Sequence, residues 1–291
     1  MQRRSKTTRR RFLAAGAAML ATPAISQVKG PFDSLGPDAD PNDLIDQIWD
    51  PETQRFISVR DLIDRLVDAP IILVGERHGF APHQNREAFL LQALADRGRY
   101  PTLALEMLEP AQEPIIEEYR ARNPEYARGL GIALDWANTG WPDWSFYEPV
   151  FDAAFAGKLD IVGADLSRSE QRELDQSTFD GPLGSAEVHA SWKASLMEVY
   201  CGLIDEAQAD LLANKQIRRD EVMANRVSSN STDGGAILIC GREHTRPERS
   251  VPFYLTDTYL GVDFVPREAI QDGRFSWISP APEEQRSLLC G

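Results

Sequence analysis

The chain has 291 residues, of which 42% are hydrophobic, and its formal net charge at pH 7 is −14. This apolar content is sufficient for one large folded domain and excludes a chain that is disordered throughout. The strong negative charge argues against binding to nucleic acid or to anionic lipid.

The first 26 residues are organised like an export signal. They contain six basic residues and no acidic residue, and an apolar stretch from Phe12 to Leu20 leads to a small-residue cleavage site at Ala24–Ser26. The segment Thr8–Leu13 resembles a twin-arginine signature. We therefore expect residues 1–26 to be removed on export, which lowers the formal net charge from −14 to −20.

The mature protein is expected to be soluble in the periplasm and not lipidated. No later stretch approaches the roughly 18 to 20 apolar residues that a membrane span needs. A lipid anchor needs a cysteine at the cleavage site, whereas the first of the three cysteines is Cys201. Cys240 lies in a predicted strand, and a bridge between Cys201 and Cys290 is allowed by the sequence but not indicated by it.

Residues 27–43 are rich in Pro, Gly and Asp and are predicted to form a flexible arm, so that folding proper begins at about Leu44. A helix over Leu62–Val67 precedes a buried strand that starts at Ile71. A second helix, from about Asn85 to Asp96, leads into a strand that starts at Thr102. A helical crossover of this length makes the two strands parallel.

Further along, helices are predicted up to about Arg120 and over Tyr147–Phe155, and Tyr254–Leu260 is predicted to be an amphipathic segment. Further strands are predicted at 160–163, 236–239 and 262–265. Between them, about 167–231 shows helix-forming composition without a strand pattern. The fold class predicted for 44–291 is therefore α/β, with a mostly parallel sheet flanked by helices and a smaller all-helical subdomain.

Polar side chains follow four of the predicted strands directly. They are Glu76 and His78, Glu106, Asp165, and His244. Because the carboxyl ends of parallel strands lie side by side, and open α/β sheets bind ligands there, these residues are expected to share one crevice, with the strand before Glu106 next to the strand before Glu76. The alternative is that each of them is an ordinary cap or turn residue.

The residue types in this crevice suit a metal. Imidazole and carboxylate groups match zinc, iron or manganese, so Glu76, His78 and His244 are the candidate ligands. Glu106 would then be a general base toward bound water in a metal-dependent hydrolase. His83 could line the same crevice, whereas His189 is expected to be a surface or packing residue.

Two further groups are candidates for ligand contact. Trp136, Trp141 and Trp144 precede Tyr147 on a predicted loop, where they form either an apolar ligand face, a subunit interface, or part of the core. Arg168 and Arg246 follow two strand ends and could bind anionic groups of a ligand or form ion pairs on the surface.

Six motifs in order resemble those of the ChaN family of haem-binding, iron-regulated proteins, a branch of a superfamily that includes Tiki metalloproteases and erythromycin esterases. The motifs are Gly75–His78, Ala104–Met107, Gly140–Tyr147, Gly163–Arg168, Asp220–Ala224, and Gly241–Arg246 with Val251–Leu255.

The resemblance implies an α/β domain with a smaller helical domain, haem binding through a tyrosinate, and a homodimer around paired haems. Tyr147 is the first candidate for the haem-binding tyrosine, followed by Tyr119 and Tyr254, with Arg168 and Arg246 near the propionates. The prediction is an exported haem- or iron-binding protein in haem or iron uptake or handling. The alternative is a metal-dependent hydrolase that uses the strand-end Glu and His residues.

Overall fold

The computed structural model describes residues 46–176, 181, 183–270 and 273–280. The predicted signal 1–26, the arm 27–43 and Cys290 lie outside these residues. Among the helices of the described ranges, none is long and apolar enough to span a membrane.

One mixed sheet of eight strands forms the centre of the fold, in the order β2-β1-β8-β7-β3-β6-β4-β5. Five pairings are parallel and two, those of β1 with β2 and with β8, are antiparallel. The strands are β1 (Ile48–Asp50), β2 (Arg55–Ile57), β3 (Ile71–Glu76), β4 (Thr102–Leu105), β5 (Ile161–Gly163), β6 (Ala236–Gly241), β7 (Tyr259–Val265) and β8 (Phe275–Ile278). The predicted α/β class with a mostly parallel sheet is confirmed.

Nine α-helices accompany this sheet in the described residues. They are α1 (Val59–Leu66), α2 (Ala81–Asp96), α3 (Glu113–Arg122), α4 (Leu130–Ala133), α5 (Trp144–Ala156), α6 (Arg168–Gln176), α7 (Ala186–Val199), α8 (Glu206–Ser229) and α9 (Val251–Tyr254). Short 3-10 turns lie at Pro110–Gln112, Trp136–Asn138, Arg242–Thr245 and Arg267–Ala269.

The two central strands β3 and β6 are buried along their whole length. Their apolar runs are continuous because helices cover both faces of the parallel part of the sheet. The expectation that the strand before Glu106 neighbours β3 is wrong, since β6 lies between β3 and β4. Chain order does not fix spatial order, and β6, the last of these three in sequence, pairs with both.

Other differences concern short or mixed elements. The antiparallel strands β1 and β2 were not predicted, because each has only three residues and no long apolar run. Helix α2 begins four residues before the predicted start, since Pro82 is well suited to a first helical turn. The segment predicted as amphipathic from Tyr254 instead joins the end of α9 to the start of β7.

Helices α6, α7 and α8 occupy most of the stretch between β5 and β6. Val188, Trp192 and Leu196 of α7 form a small buried cluster with Ala213 and Ile217 of α8. Helix α8 is 24 residues long and begins with a capping box between Asp205 and Gln208. That these helices form a separate subdomain stays a prediction.

Arg99 ties the turn after α1 to the turn before β6. Its side chain is buried and donates to the carbonyl oxygens of Val67 at 2.7 Å and Gly234 at 3.0 Å, as well as to those of Leu66 and Ala69. One guanidinium therefore donates hydrogen bonds to four carbonyl groups. A shorter or neutral side chain cannot supply all of these donors.

We expect Arg99→Met to lower the free energy of unfolding by roughly 2–4 kcal/mol, because it leaves buried carbonyl groups without donors. Urea denaturation followed by circular dichroism measures this change. The matched control is Arg97→Met, which removes only an exposed ion pair with Asp64 and should cost about 1 kcal/mol or less. Equal losses in the two variants would contradict the role assigned to Arg99.

Candidate functional site

A cavity of about 620 Å³ opens at the carboxyl ends of the parallel strands. Its wall includes Glu76 at the end of β3, His78 just beyond it, Glu106 after β4, and His244 after β6. The predicted crevice is therefore present, and it contains four of the five strand-end residues. Asp165, the fifth, lines a smaller adjoining pocket of about 320 Å³ that shares Glu106 with the larger one.

Two imidazole–carboxylate pairs flank Glu106. His78 Nδ1 lies 2.6 Å from Glu76 Oε1, and His244 Nδ1 lies 2.7 Å from Asp220 Oδ1. The Nε2 atoms of the two rings face the two oxygens of Glu106, at 3.5 Å for His78 and 3.4 Å for His244. Each carboxylate fixes the orientation of its ring and directs Nε2 toward Glu106.

Glu106 is the buried centre of this arrangement, with 1% of its surface exposed. It accepts hydrogen bonds from the Gly241 N–H at 2.6 Å and from Arg219 at 2.6 Å. Arg219 also binds both oxygens of Asp165, each at 2.9 Å. Burial alone would raise the pKa of Glu106, but His244, Arg219 and His78 outweigh it and hold this pKa well below its usual range.

The same charges act on the histidines in the opposite direction. Burial lowers the pKa of His78, but Glu106 and the hydrogen bond to Glu76 outweigh it, so the pKa is raised. The pKa of His244 is raised in the same way, by Glu106 and Asp220 against burial. The protonated forms of both rings are therefore favoured beside the Glu106 carboxylate.

Gly241 is required where β6 ends. A Cβ atom at this position would lie 2.8 Å from His78 Nε2 and 3.5 Å from Glu106 Oε2. Only glycine lets the backbone approach Glu106 closely enough to donate its N–H while leaving space for the imidazole.

Glu76 is held by residues of α2 and α5. It accepts hydrogen bonds from Gln84 and, at 3.2 Å, from the Tyr147 hydroxyl. The fully buried Glu87 lies beside it, and no donor contacts either Glu87 oxygen in the described residues. Burial and the Glu76 charge raise the pKa of Glu87 well above its usual range. The neutral, protonated form of Glu87 is therefore favoured beside the Glu76 charge.

This geometry does not form the predicted metal site. No group of three or more His, Cys, Asp or Glu side chains is placed to hold a metal ion within the ranges that the structure describes. Glu76 contacts the Nδ1 side of His78, away from the Nε2 atoms that face Glu106. Glu106 itself is occupied by Arg219, whose charge would repel a cation.

The three candidate tyrosines lie away from the cavity wall. Tyr147 is fully buried, and burial and the Glu76 charge raise its pKa far above the usual range, which disfavours a tyrosinate. The Tyr119 hydroxyl accepts a hydrogen bond from Gly129 N–H at 2.9 Å. Burial raises the pKa of Tyr254 as well, and its hydroxyl has no partner in the described part of the chain.

Arg168 and Arg246 do not reach the large cavity. Arg168 donates to the Asn138 carbonyl at 2.7 Å and lies 3.6 Å from Glu109, beside the smaller pocket. Arg246 forms ion pairs with Glu243 at 3.0 Å and Glu248 at 3.6 Å. The alternative of ion pairing on the surface therefore describes both residues better than contact with a ligand in the cavity.

His83 lines the cavity, whereas His189 is buried in α7 away from it. The Arg77 N–H donates to His83 Nδ1 at 2.8 Å, so Nε2 carries the proton toward Ser279 Oγ at 3.0 Å. Burial and neighbouring arginines lower the pKa of His83 to about 3, and the ring is neutral.

The aromatic segment is divided between core and cavity. Trp136 and Tyr147 belong to the main core, as the core alternative predicts. Trp141 lines the cavity, and the centre of its ring lies 4.9 Å from that of His78.

Sequence reasoning gave no role to four residues that hold the site together: Gln84 and Glu87 on α2, and Arg219 and Asp220 on α8. The sequence does contain a sign of both the α2 pair and the α8 pair, because a polar side chain on the apolar face of a helix needs a buried hydrogen-bond partner. The partner cannot be identified without the fold, because Arg219 and Glu106 are 113 residues apart.

A family described as haem-binding uptake, Tiki superfamily, ChaN matches residues 62–255. Among solved structures, one titled as cofacial haem binding to ChaN of Campylobacter jejuni is 25% identical. It has a TM-score of 0.68 and covers 79% of this chain and 95% of that one. The type III effector HopBA1 is 12% identical, with a TM-score of 0.45 over 74% of this chain and 89% of that one. No curated protein matches.

We expect Glu87→Gln to remove a pH dependence of stability. A pKa that is higher in the folded state means that folding binds a proton, so stability falls as pH rises above the unfolded value of about 4.3, by up to roughly 1.4 kcal/mol per pH unit. Urea denaturation at a series of pH values compares Glu87→Gln with Glu117→Gln, an exposed control. If both variants keep the slope of the unsubstituted protein, Glu87 is not the protonated group.

Proposed function

We propose that this protein, which belongs to the ChaN family of haem-binding uptake proteins in the Tiki superfamily, binds haem in the cavity at the carboxyl ends of its strands. The family match, which agrees with the resemblance seen in the motifs, carries the proposal. The fold supports it, because the chain shares its architecture with 95% of the Campylobacter ChaN chain.

The residues of the cavity fit haem in size and in chemistry. Its volume of about 620 Å³ lies within the range of roughly 300–1,000 Å³ for small-molecule sites. Trp141, Phe264 and Pro266 provide apolar surface for a macrocycle. Bound haem would supply an iron centre that needs an axial nitrogen, oxygen or sulfur donor from the protein.

His78 is the donor that the structure supports best. Its side chain is 28% exposed, compared with 7% for His244, and its ring lines the cavity. The hydrogen bond from Nδ1 to Glu76 fixes the tautomer and makes Nε2 more basic, as outer carboxylates do for metal-binding histidines. Binding of iron at Nε2 would require loss of its proton and of its contact with Glu106.

Tyr147 as the iron donor stays a sequence prediction. In this geometry its hydroxyl supports Glu76 from behind the cavity wall, so its contribution would be to position the Glu76–His78 pair. The two roles predict different effects of Tyr147→Phe. If Tyr147 is the iron donor, this substitution abolishes coordination of the iron. If Tyr147 only positions Glu76, the substitution weakens that support and leaves the iron donor in place.

The proposed setting is haem or iron handling after export by the twin-arginine route, with the mature protein soluble in the periplasm. Formation of a homodimer is part of this proposal. It would be detected as an increase in the molecular mass of the protein in solution when haem is added. The charge of the mature chain, −20 without residues 1–26, agrees with a protein that acts on a small molecule rather than on nucleic acid.

The hydrolase alternative has weaker support. A general base works best with a pKa near the operating pH, whereas the surrounding cations hold the pKa of Glu106 far below that range. The same cations disfavour a bound metal ion that could activate water. Glu106 is better described as the fixed counter-ion of Arg219, His78 and His244.

We expect haem titration of the mature protein to give a saturable Soret band. His78→Ala should weaken binding by about 10-fold or more, since it removes the iron donor, and should shift the band, whereas Tyr147→Phe should keep the band position. Absorbance and mass measured together report binding and dimerisation. His189→Gln is the control, because His189 lies in α7 outside the cavity.

Two results would contradict this proposal. Absence of a saturable Soret band in the unsubstituted protein would exclude haem binding at the concentrations used. Loss of the band in Tyr147→Phe, with His78→Ala unchanged, would assign the iron to Tyr147 and remove His78 from the site.

A further inference from the structure

The turn that carries His244 is short and depends on contacts with other elements. It is the single 3-10 turn Arg242–Thr245, which lies between β6 and α9. A 3-10 turn of this length has few internal hydrogen bonds, and their geometry is poorer than in an α-helix. Side chains from other elements are therefore needed to fix the direction in which His244 leaves the backbone.

Thr245, the residue after His244, makes such contacts. It is fully buried, and its hydroxyl lies 2.7 Å from Asp263 Oδ1 and 2.8 Å from the carbonyl oxygen of Arg242. Its single proton is shared between these two acceptors. The hydroxyl oxygen in turn accepts a hydrogen bond from Arg274 Nη1 at 3.2 Å. One hydroxyl therefore joins the start of the turn to β7 and to the residue before β8.

Asp263 and Arg274 form a buried ion pair with each other. Arg274 Nε lies 3.1 Å from Asp263 Oδ2, and both side chains are buried. Burying two charges costs solvation energy that their attraction offsets only in good geometry, and well-packed apolar residues are often at least as stable. Stability alone does not account for such a pair, whereas a fixed position for the Thr245 hydroxyl does.

Gly75 provides the space in which this pair reaches Thr245. It lies opposite Asp263 in the parallel register of β3 and β7. A Cβ atom at Gly75 would overlap Asp263 Oδ1 and would lie 3.0 Å from Thr245 Oγ1. Because Gly75 has no side chain, the Asp263 carboxylate can approach β3 and the turn after β6 at the same time.

The imidazole of His244 is held by a different part of the fold. Its Nδ1 lies 2.7 Å from Asp220 Oδ1 on α8, and Trp192 Nε1 on α7 donates to the other Asp220 oxygen at 3.0 Å. The ring centres of Trp192 and His244 are 5.5 Å apart. These helices can hold the ring only if the turn presents it at the matching place, so the ring contacts depend on the position of the backbone.

We propose that Thr245 is a positioning residue for His244, and that Asp263 and Arg274 hold its hydroxyl for this purpose. His244 Nε2 lies 3.4 Å from Glu106 Oε1, so a displaced turn would loosen one of the contacts around that carboxylate. The inference does not depend on which ligand the cavity binds, and it is tested without a ligand. Its failure would therefore be distinct from a failure of the proposed haem binding.

The test follows the Nδ1–H proton of His244 by proton–nitrogen NMR of the mature protein labelled at histidine. The chain has only four histidines, and His244→Gln identifies the His244 signal by its absence. A buried N–H group that is bound to a carboxylate is protected from exchange with water, so it stays visible. Thr245→Val removes the hydroxyl at nearly constant size, whereas Thr245→Ser keeps it.

Thr53→Val is the matched control, because the same three kinds of side chain meet there. Thr53 Oγ1 donates to the buried Asp50 at 2.6 Å, and Arg65 lies 2.8 Å from the same carboxylate. Asp50 is the last residue of β1, and β8, β7 and β3 separate this strand from β6. Loss of the Thr53 hydroxyl should therefore leave His244 unchanged.

We expect the His244 Nδ1–H signal to be lost in Thr245→Val and to be kept in Thr245→Ser and Thr53→Val. Thermal unfolding shows whether each variant is folded at the temperature of the measurement. If Thr245→Val is not folded, Thr245→Cys replaces it, since a thiol is only a weak donor.

Three results would overturn the proposal. The first is a signal that is kept when the Thr245 hydroxyl is removed. The second is a signal that is also lost in Thr245→Ser or Thr53→Val, because the loss would then not report this hydroxyl. The third is absence of the signal from the unsubstituted protein, since His244 would then not be held in the position described.

Discussion

The buried carboxylate of Glu106 is the constraint on which the rest of the site depends. A lone ionised carboxylate in a protein interior is very unfavourable, so a fold that buries one must provide donors and positive charge around it. The strand-end N–H of Gly241, the guanidinium of Arg219 and the two imidazoles meet this requirement. Each of these groups then needs partners of its own, which explains Glu76, Asp165 and Asp220.

The site is consequently built in shells of alternating charge. Glu106 is surrounded by cations, and the cations contact carboxylates at the strand ends and on α8. Glu87 lies beside Glu76 at the outer side of this network, where burial and the Glu76 charge raise its pKa and favour the neutral form. Within such a network a single substitution changes the electrostatic balance of several neighbours.

Much of the fold followed from the sequence because the parallel strands are continuous apolar runs that end abruptly in polar residues. The same abrupt change from apolar to polar residues correctly predicted that His78, Glu106 and His244 lie together at the carboxyl edge of the sheet. The short antiparallel strands β1 and β2 carry no such run, and the sheet order depends on pairings between distant segments. For this reason β6 was not placed between β3 and β4.

Roles were harder to predict than positions. Glu76 and His78 have the composition of a metal pair, but distance decides whether two such groups share a metal or bind each other, and here they bind each other. Glu106 also has the composition of a metal ligand, but Arg219 and the two imidazoles occupy its oxygens. Such competition between neighbours cannot be deduced from spacing along the chain.

Helix α8 presents Arg219 and Asp220 as consecutive residues, and successive side chains on a helix point about 100° apart. One of them reaches Glu106 and the other reaches His244, so a single helix supports two sides of the same carboxylate. Turning α8 about its axis cannot improve one contact without loosening the other. The rotation of the long helix about its axis is therefore set by these two contacts together. Any packing contact that holds α8 at this rotation also holds the charges around Glu106 in place.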